Sequence, residues 1–259
     1  MRAFLERRNP FDRTEVEQVL SFADEEVESS VGYPAGFQIH APQEQLKAWK
    51  RYFPELQECS PVPTKLYLSD GAEGWAVIPK PSRIADSYHD ALEMMLNIMA
   101  EKGAFKNWLE GKLSSDRLRL TERTETALKM LQDNTPGDFL IIPIQFGMRH
   151  RGRSVRWARA CFIENEFGLG PYEAAALLVT HPDRISDSSQ LCIVCAGCEY
   201  SSNADGRFED YLNFNWNSDD GRLGLNFNWS SNANPKWGSA SGFGVSLLHQ
   251  IFNKSSPIF

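Results

Sequence analysis

The segments YLNFNWN (residues 211–217) and LGLNFNW (residues 223–229) decide the fold class, with SDDGR (residues 218–222) between them. Each alternates apolar residues with polar or small ones, which is the period of a half-buried strand. Two such runs joined through Asp220-Gly221 read as an antiparallel hairpin, because both central residues of the favoured two-residue turn need positive φ. With that turn, paired numbers sum to 441. Trp216 then faces Leu225, Phe214 faces Phe227 and Leu212 faces Trp229. On the other side Asn215 meets Asn226, Asn213 meets Asn228 and Asn217 meets Gly224. A slip of one residue mixes the two faces, so the apolar face is expected to be buried. Asparagine is poor in strands. The face carrying Asn213, Asn215, Asn226 and Asn228 is therefore a wet outer surface, a surface covered by another part of the chain, or a platform of amides for a polar ligand such as a sugar or a base edge.

Outward from the hairpin, both periodicities recur. Leu92, Met95, Leu96 and Met99 follow one another at i, i+3, i+4 and i+7, with Asp86 as the expected N-cap and Gly103 at the position after the C-cap. Leu46, Trp49 and Phe53 give a second helical stripe, ended by Pro54, and Thr121 is placed to cap a helix through Leu131. Residues 15–30 hold six acids and no base over a partial apolar stripe, the pattern of a surface helix with an acidic face or of an acidic contact for a basic partner. Residues 65–68 and 75–78 read as a hairpin with a longer loop. Residues 104–120 are mixed, with Phe105, Trp108 and Leu109 suiting a short helix. Phe139–Phe146 reads as a central strand despite Pro143, and Gln190–Ala196 as another buried strand. Helices are expected over 154–167 and 172–180, the second entered through Pro171. The whole reads as an α+β fold: a mixed sheet with a C-terminal antiparallel hairpin over about 211–231, and several packed helices. Residues 1–259 make one domain, with residues 1–60 as a candidate helical subdomain.

The chain has 259 residues, 42% hydrophobic and 24% charged, and a net charge of −7. That is a core-forming composition and not a globally basic one. No apolar run approaches the roughly 20 residues of a membrane helix, and the first residues lack a signal-like apolar segment. Five cysteines, an odd number, fit reduced thiols in a cytoplasm better than a disulfide framework.

Against the acidic background, RHRGRSVRWAR (residues 149–159) gathers five arginines and no acid. In extended backbone Arg149, Arg151 and Arg153 share a side. With Ser154 as an N-cap, Arg156 and Arg159 lie one turn apart on the helix that follows. Guanidinium forks beside a helix N-terminus suit a phosphate or carboxylate, His150 adds a donor, and Trp157 offers a stacking surface. The competing reading is internal pairing, with the acids of residues 15–30 and with Glu164 and Glu166. The order strand, helix, helix over 139–180 loosely fits a DNA-binding module. The apolar 172–180 helix nevertheless has no base-reading side chains, so nucleic acid would be held by its backbone.

Cys192, Cys195 and Cys198 have metal-like spacing but number only three, with Cys59, Cys161 or His181 as a possible fourth ligand. Buried strand thiols explain the same residues, so no metal or cofactor is expected. Asp86, His89, Asp90 and Glu93 read as the solvated face of a helix, and the calcium-loop start at Ser201–Gly206 fails because its twelfth position is Leu212.

The stretches GDFLIIPIQFGMRHRGRSVRWAR (137–159), EFGLGPYEAAALLVTHPDRI (166–185) and KWGSASGFG (236–244) resemble uncharacterised bacterial proteins of integrative and conjugative elements, over roughly the C-terminal half. The resemblance implies a bacterial, cytoplasmic protein of a mobile element and supplies no catalytic residue. The leading functional expectation is a non-enzymatic protein that contacts nucleic-acid or other phosphates through residues 149–159. The alternatives are a protein-interaction or inhibitor module, using the acidic helix or the asparagine face, and an enzyme without a recognisable motif. No oligomeric state is implied.

Overall fold

A computed structural model describes residues 21–57, 68–103 and 105–244. Its helices are α1 (Pro42–Trp49), α2 (Tyr88–Glu101), α3 (Glu122–Asn134), α4 (Val155–Ala160) and α5 (Pro171–Thr180). Its strands are β1 (Gly74–Pro79), β2 (Phe105–Asn107), β3 (Leu118–Leu120), β4 (Phe139–Gln145), β5 (Glu166–Gly168), β6 (Cys192–Val194), β7 (Cys198–Tyr200), β8 (Asp210–Asn217), β9 (Arg222–Trp229), β10 (Trp237–Ser239) and β11 (Ser241–Phe243). They form two sheets. One is antiparallel, in the order β1-β4-β11-β5. The other is mixed, in the order β10-β6-β8-β7-β3, with β9 paired to β8 and β2 paired to β9. The β10–β6 and β2–β9 pairs are parallel. This is an α+β fold with the expected C-terminal hairpin.

Between the elements lies a core running from Leu46 and Trp49 through α2, β4 and α5 to Leu212, Phe214 and Ala240. All ten residues of α5 are buried, which is why its sequence is apolar all round and not in a stripe. Pro171 opens it, where a missing N–H costs nothing. α1 is tied into this core, as Trp49 Nε1 donates to Val77 O at 2.7 Å. Pro143 sits inside β4 without breaking it. Ile144 O accepts from Glu73 on the β1 side, so the residue before it turns its imide to the opposite side, where β11 pairing stops at Gly242↔Ile144.

The expected α2 stripe is buried, but its N-cap is Ser87, whose Oγ accepts from Asp90 N at 3.1 Å, and not Asp86. Thr121 caps α3 as expected, and Gly103 has a φ of +94° just past α2. Other expectations need correction. Residues 21–30 are a turn followed by extended backbone, because Glu25 and Val27 pair with the backbone of Ser154 and Gly152. Residues 15–20 lie outside the described residues. Residues 65–67 do too, and β1 pairs with β4 instead. Residues 105–107 and 118–120 are strands, not helix. The 154–167 helix ends at Ala160, and β5 follows.

The hairpin is real, but its register is offset by two residues. Observed partners sum to 439: Trp216↔Leu223, Phe214↔Leu225, Leu212↔Phe227, Asp210↔Trp229. The loop holds four residues, with Gly221 at φ +61° and Asn217 Oδ1 accepting from Asp219 N at 2.9 Å. A shift of two keeps every side chain on its face. It does carry Trp229 past Leu212 to the open end of the ladder, where the indole is 68% exposed.

On the opposite face Tyr211 packs with Val155, Phe162, Val194 and Ala196. Asn213, two residues on, is buried as well. Asn226 and Asn228 act on the backbone. Leu225 O accepts from Trp108 N, so the odd residues of β9 point their backbone groups away from β8. Beyond Leu225 no strand among the described residues covers that side. There Asn226 Oδ1 accepts from Phe227 N and Asn228 Oδ1 from Trp229 N, each at 2.9 Å. The amides thus blunt an open strand edge, a hazard for edge-to-edge association. Replacing both by valine should free two edge donors and shift sedimentation toward heavier species than the parent chain forms. An unchanged profile at equal concentration rules this role out.

Candidate functional site

The arginine segment leaves β4 through Gly147, makes a 3-10 turn over Met148–His150, and turns again at Gly152 before Ser154 caps α4. It is not a single extended run: Arg149 and Arg153 both reach the His150–Glu166 pair, and Arg151 turns to Val31 O. Ser154 Oγ accepts from Trp157 N at 3.1 Å, and Arg156 N donates to Ser230 O. The N-terminal donors of this six-residue helix are thus already partly engaged.

The guanidinium groups are engaged as well. Arg156 grips Glu25 through Nε and Nη2, with Nε–O distances of 2.7 and 2.9 Å, and lies over the Phe22 ring. Hydrogen bonds from Arg156 and Ser154 hold Glu25 below the usual carboxylate range despite burial. Arg153 Nε lies 3.1 Å from Glu26, which also accepts from Trp157 Nε1. Arg159 donates to Ala196 O and Cys198 O. Arg149 Nε reaches Glu166 at 3.3 Å. Arg151 donates to Val31 O and contacts Met148 Sδ. Six of the seven expected contact residues thus meet their own chain's carboxylates or carbonyls, at residues 25, 26 and 31, in β5, and at residues 196 and 198. His150 is the seventh, and it is interior.

Glu166 is the hub of this network. Its buried carboxylate accepts from His150 Nε2 at 2.7 Å, Ser241 Oγ at 2.6 Å, Arg149 Nε, and Ile163 N. Burial alone pushes the carboxyl up, but His150, Ser241 and Arg149 together bring it below its ordinary value. Burial lowers His150, so the neutral imidazole donates from Nε2 to Glu166 and accepts at Nδ1 from Arg153. Gln145 extends the network, donating to Ser241 Oγ and Ser239 O and accepting from Gly147 N. A histidine, a carboxylate and a serine in mutual contact have the parts of a catalytic relay. All three are almost wholly buried, so no substrate reaches them, and the geometry serves to lock β4, β5 and β11 together. The nearby Cys161 thiol is pushed up by burial and is no activated nucleophile.

The remaining candidates resolve similarly. Cys192, Cys195 and Cys198 are buried free thiols, and burial pushes Cys198 up to about 12. Among the described residues no group of three or more His, Cys, Asp or Glu could hold a metal ion. Cys59 lies outside them. His89 Nε2 donates to Leu118 O, and His181 stacks on His40 at 4.6 Å. No described helix is long and apolar enough to cross a membrane.

The open end of the hairpin is different. Asp210, at the start of β8, lies between Tyr200 of β7 and Trp229 of β9. It is 6% exposed, and its carboxylate makes no hydrogen bond or ion pair among the described residues. Asp210 and Trp229 line a solvent-open depression of about 370 Å³ with Ser202, Asn203, Asp205, Arg207 and Glu209. Arg207 is turned onto Asp205, with Nε and Nη2 at 2.9 and 2.8 Å from Oδ2. A two-residue turn places Trp229 on the buried face opposite Leu212, which hides this site. The signal available in the sequence is Asp210 immediately before the alternating run: a four-residue loop puts it opposite Trp229. The second exposed tryptophan beside the hairpin, Trp108, rests on Gly224, where a Cβ would lie 2.9 Å from its Nε1, and carries Lys106 Nζ 3.6 Å from its ring centroid. No family model, curated protein or solved structure matches this chain.

Proposed function

We propose that this chain is a non-enzymatic interaction protein that binds another protein at the open end of the β8–β9 hairpin. The observation that carries the reading is Trp229, an exposed indole directly across the ladder from a buried carboxylate without a partner. Tryptophan is enriched among the residues that dominate interface energetics, and the Asp210 carboxylate, which lines the open depression without an ion pair among the described residues, is available to a cation. Four free thiols among the described residues suit the cytoplasm as the proposed setting. The test is affinity capture by the full chain from the cells that make it, beside Trp229→Ser and the pair Arg151→Ala/Arg153→Ala. Loss of a stoichiometric protein with Trp229→Ser alone supports the reading. Equal capture by all three overturns it.

Phosphate contact through residues 149–159 is the second reading, on narrower footing. Arg151 meets no carboxylate among the described residues, and Arg149 is partly exposed. Two available arginines imply a log–log salt slope of about −2 in a gel shift. A complex that is unaffected by Arg151→Ala or by salt removes this reading.

A further inference from the structure

We propose that the hairpin depression takes the guanidinium group of an arginine presented by a basic partner protein, stacked on Trp229 and paired with Asp210; this rests on the interaction reading above. The argument begins with what the same chain does with its own arginines. Arg156 lies 4.4 Å from the centroid of Phe22 and is forked onto Glu25. Arg119 lies 4.0 Å from the centroid of Phe208, with Nε and Nη2 each 2.8 Å from Glu199 Oε2. Arg184 lies 4.0 Å from the centroid of Tyr33, whose hydroxyl donates to Glu73. Each places a planar cation against an aromatic face, with a carboxylate beside that ring or on the guanidinium edge.

Trp229 and Asp210 are a fourth aromatic–carboxylate pair, side by side across the ladder, and no arginine of the described chain fills it. Arg207, the cation in its lining, is committed to Asp205, and Arg117 beside it donates to Ser202 O at 2.8 Å. With Asp205, Glu209 and Asp210 against Arg207, the depression carries a net charge of about −2, which attracts a cation and disfavours phosphate. The carboxylates do not converge on a metal-sized point. The complementary ligand is thus broad, flat and positive. Guanidinium fits better than ammonium because it stacks, presents paired donors to a carboxylate and is more weakly hydrated, which matters beside a carboxylate that is nine-tenths buried.

The experiment titrates the full chain, with its indole N–H groups observed by NMR and the Trp229 signal assigned by its loss in Trp229→Phe. The probe is the blocked tripeptide Gly-Arg-Gly, beside its lysine and citrulline counterparts and glucose. The expected result is a saturable Trp229 shift with the arginine peptide and at least fivefold weaker binding by lysine. Citrulline, which keeps the shape without the charge, and glucose should cause no shift. Asp210→Asn, which removes an unpaired buried charge and so should not harm folding, is expected to weaken the arginine peptide at least fivefold. No saturable shift with arginine, an equal shift with citrulline, lysine or glucose, or full binding by Asp210→Asn overturns the proposal. If any of these occurs while partner capture still needs Trp229, the guanidinium assignment falls and the hairpin interface stands. If capture ignores Trp229, both fall.

Discussion

Glu166→Ala is expected to cost about 3–5 kcal/mol, as much as emptying a large aromatic site in the core. The change removes the shared acceptor of His150, Ser241, Arg149 and Ile163 N in one step, and leaves these donors facing a cavity. Domains of ordinary stability have about 5–15 kcal/mol in total, so the variant should lie near the edge of folding. Urea denaturation at neutral pH measures the loss. Glu166→Gln should fall between parent and alanine, because an amide oxygen still accepts from His150 or Ser241 but gives Arg149 no charge. A loss under about 1 kcal/mol for alanine means the network is incidental to stability.

The second large effect is the gain expected from neutralising Glu173, one of two buried groups of opposite kind that set a broad stability plateau on the acid side of neutrality. Burial raises Glu173, at the first turn of α5, to about 7, with Tyr88 Oη donating to Oε2 at 3.0 Å. Its folded state favours the neutral acid. Stability is therefore fully present below the unfolded value of 4.5 and is lost as pH rises through about 7. Burial lowers His181 to about 4, so its folded state favours the neutral ring. Its contribution is intact above 6.5 and is lost as pH falls through about 4. Each group contributes about 3 kcal/mol, but the two windows cancel between 4.5 and 6.5, so this pair leaves a plateau there and a net fall of under about 1 kcal/mol on either side. Glu25, Glu26 and Glu166, all lowered, steepen the acid limb below 4.5. Urea midpoints from pH 4 to 8 should be highest between about 4.5 and 6.5. Glu173→Gln should flatten the alkaline limb and, at pH 8, exceed the parent by about 2–3 kcal/mol. An alkaline limb that persists in this variant assigns it to some other group.

What the sequence makes legible follows the length of the interaction. Periodicity, caps and turns are local, so α2, α3, α5 and the hairpin can be read directly. The asparagine face is legible as a face but not in its role, because its work on the β9 edge depends on where β2 stops pairing. The Arg149–Arg159 cluster is legible as a concentration of charge. Its fate is not, because Glu25 and Glu26 lie more than a hundred residues earlier, and only the pairing of 25–27 with 152–154 brings them there. The same limit hides the depression: a two-residue and a four-residue loop both sort the faces correctly, and only the second puts Asp210 opposite Trp229.

The place of β11 bears on how the chain is made. β4 and β5 are synthesised long before the strand that joins them, since Ser241 and Gly242 pair with Gln145 and Ile144 about a hundred residues back and with Gly168 and Phe167 about seventy-five back. Until those residues are made, β4 has only β1 beside it and β5 has no strand partner among the described residues. Closure of the first sheet thus rests on contacts of long sequence separation, the kind whose loop-closure entropy slows folding.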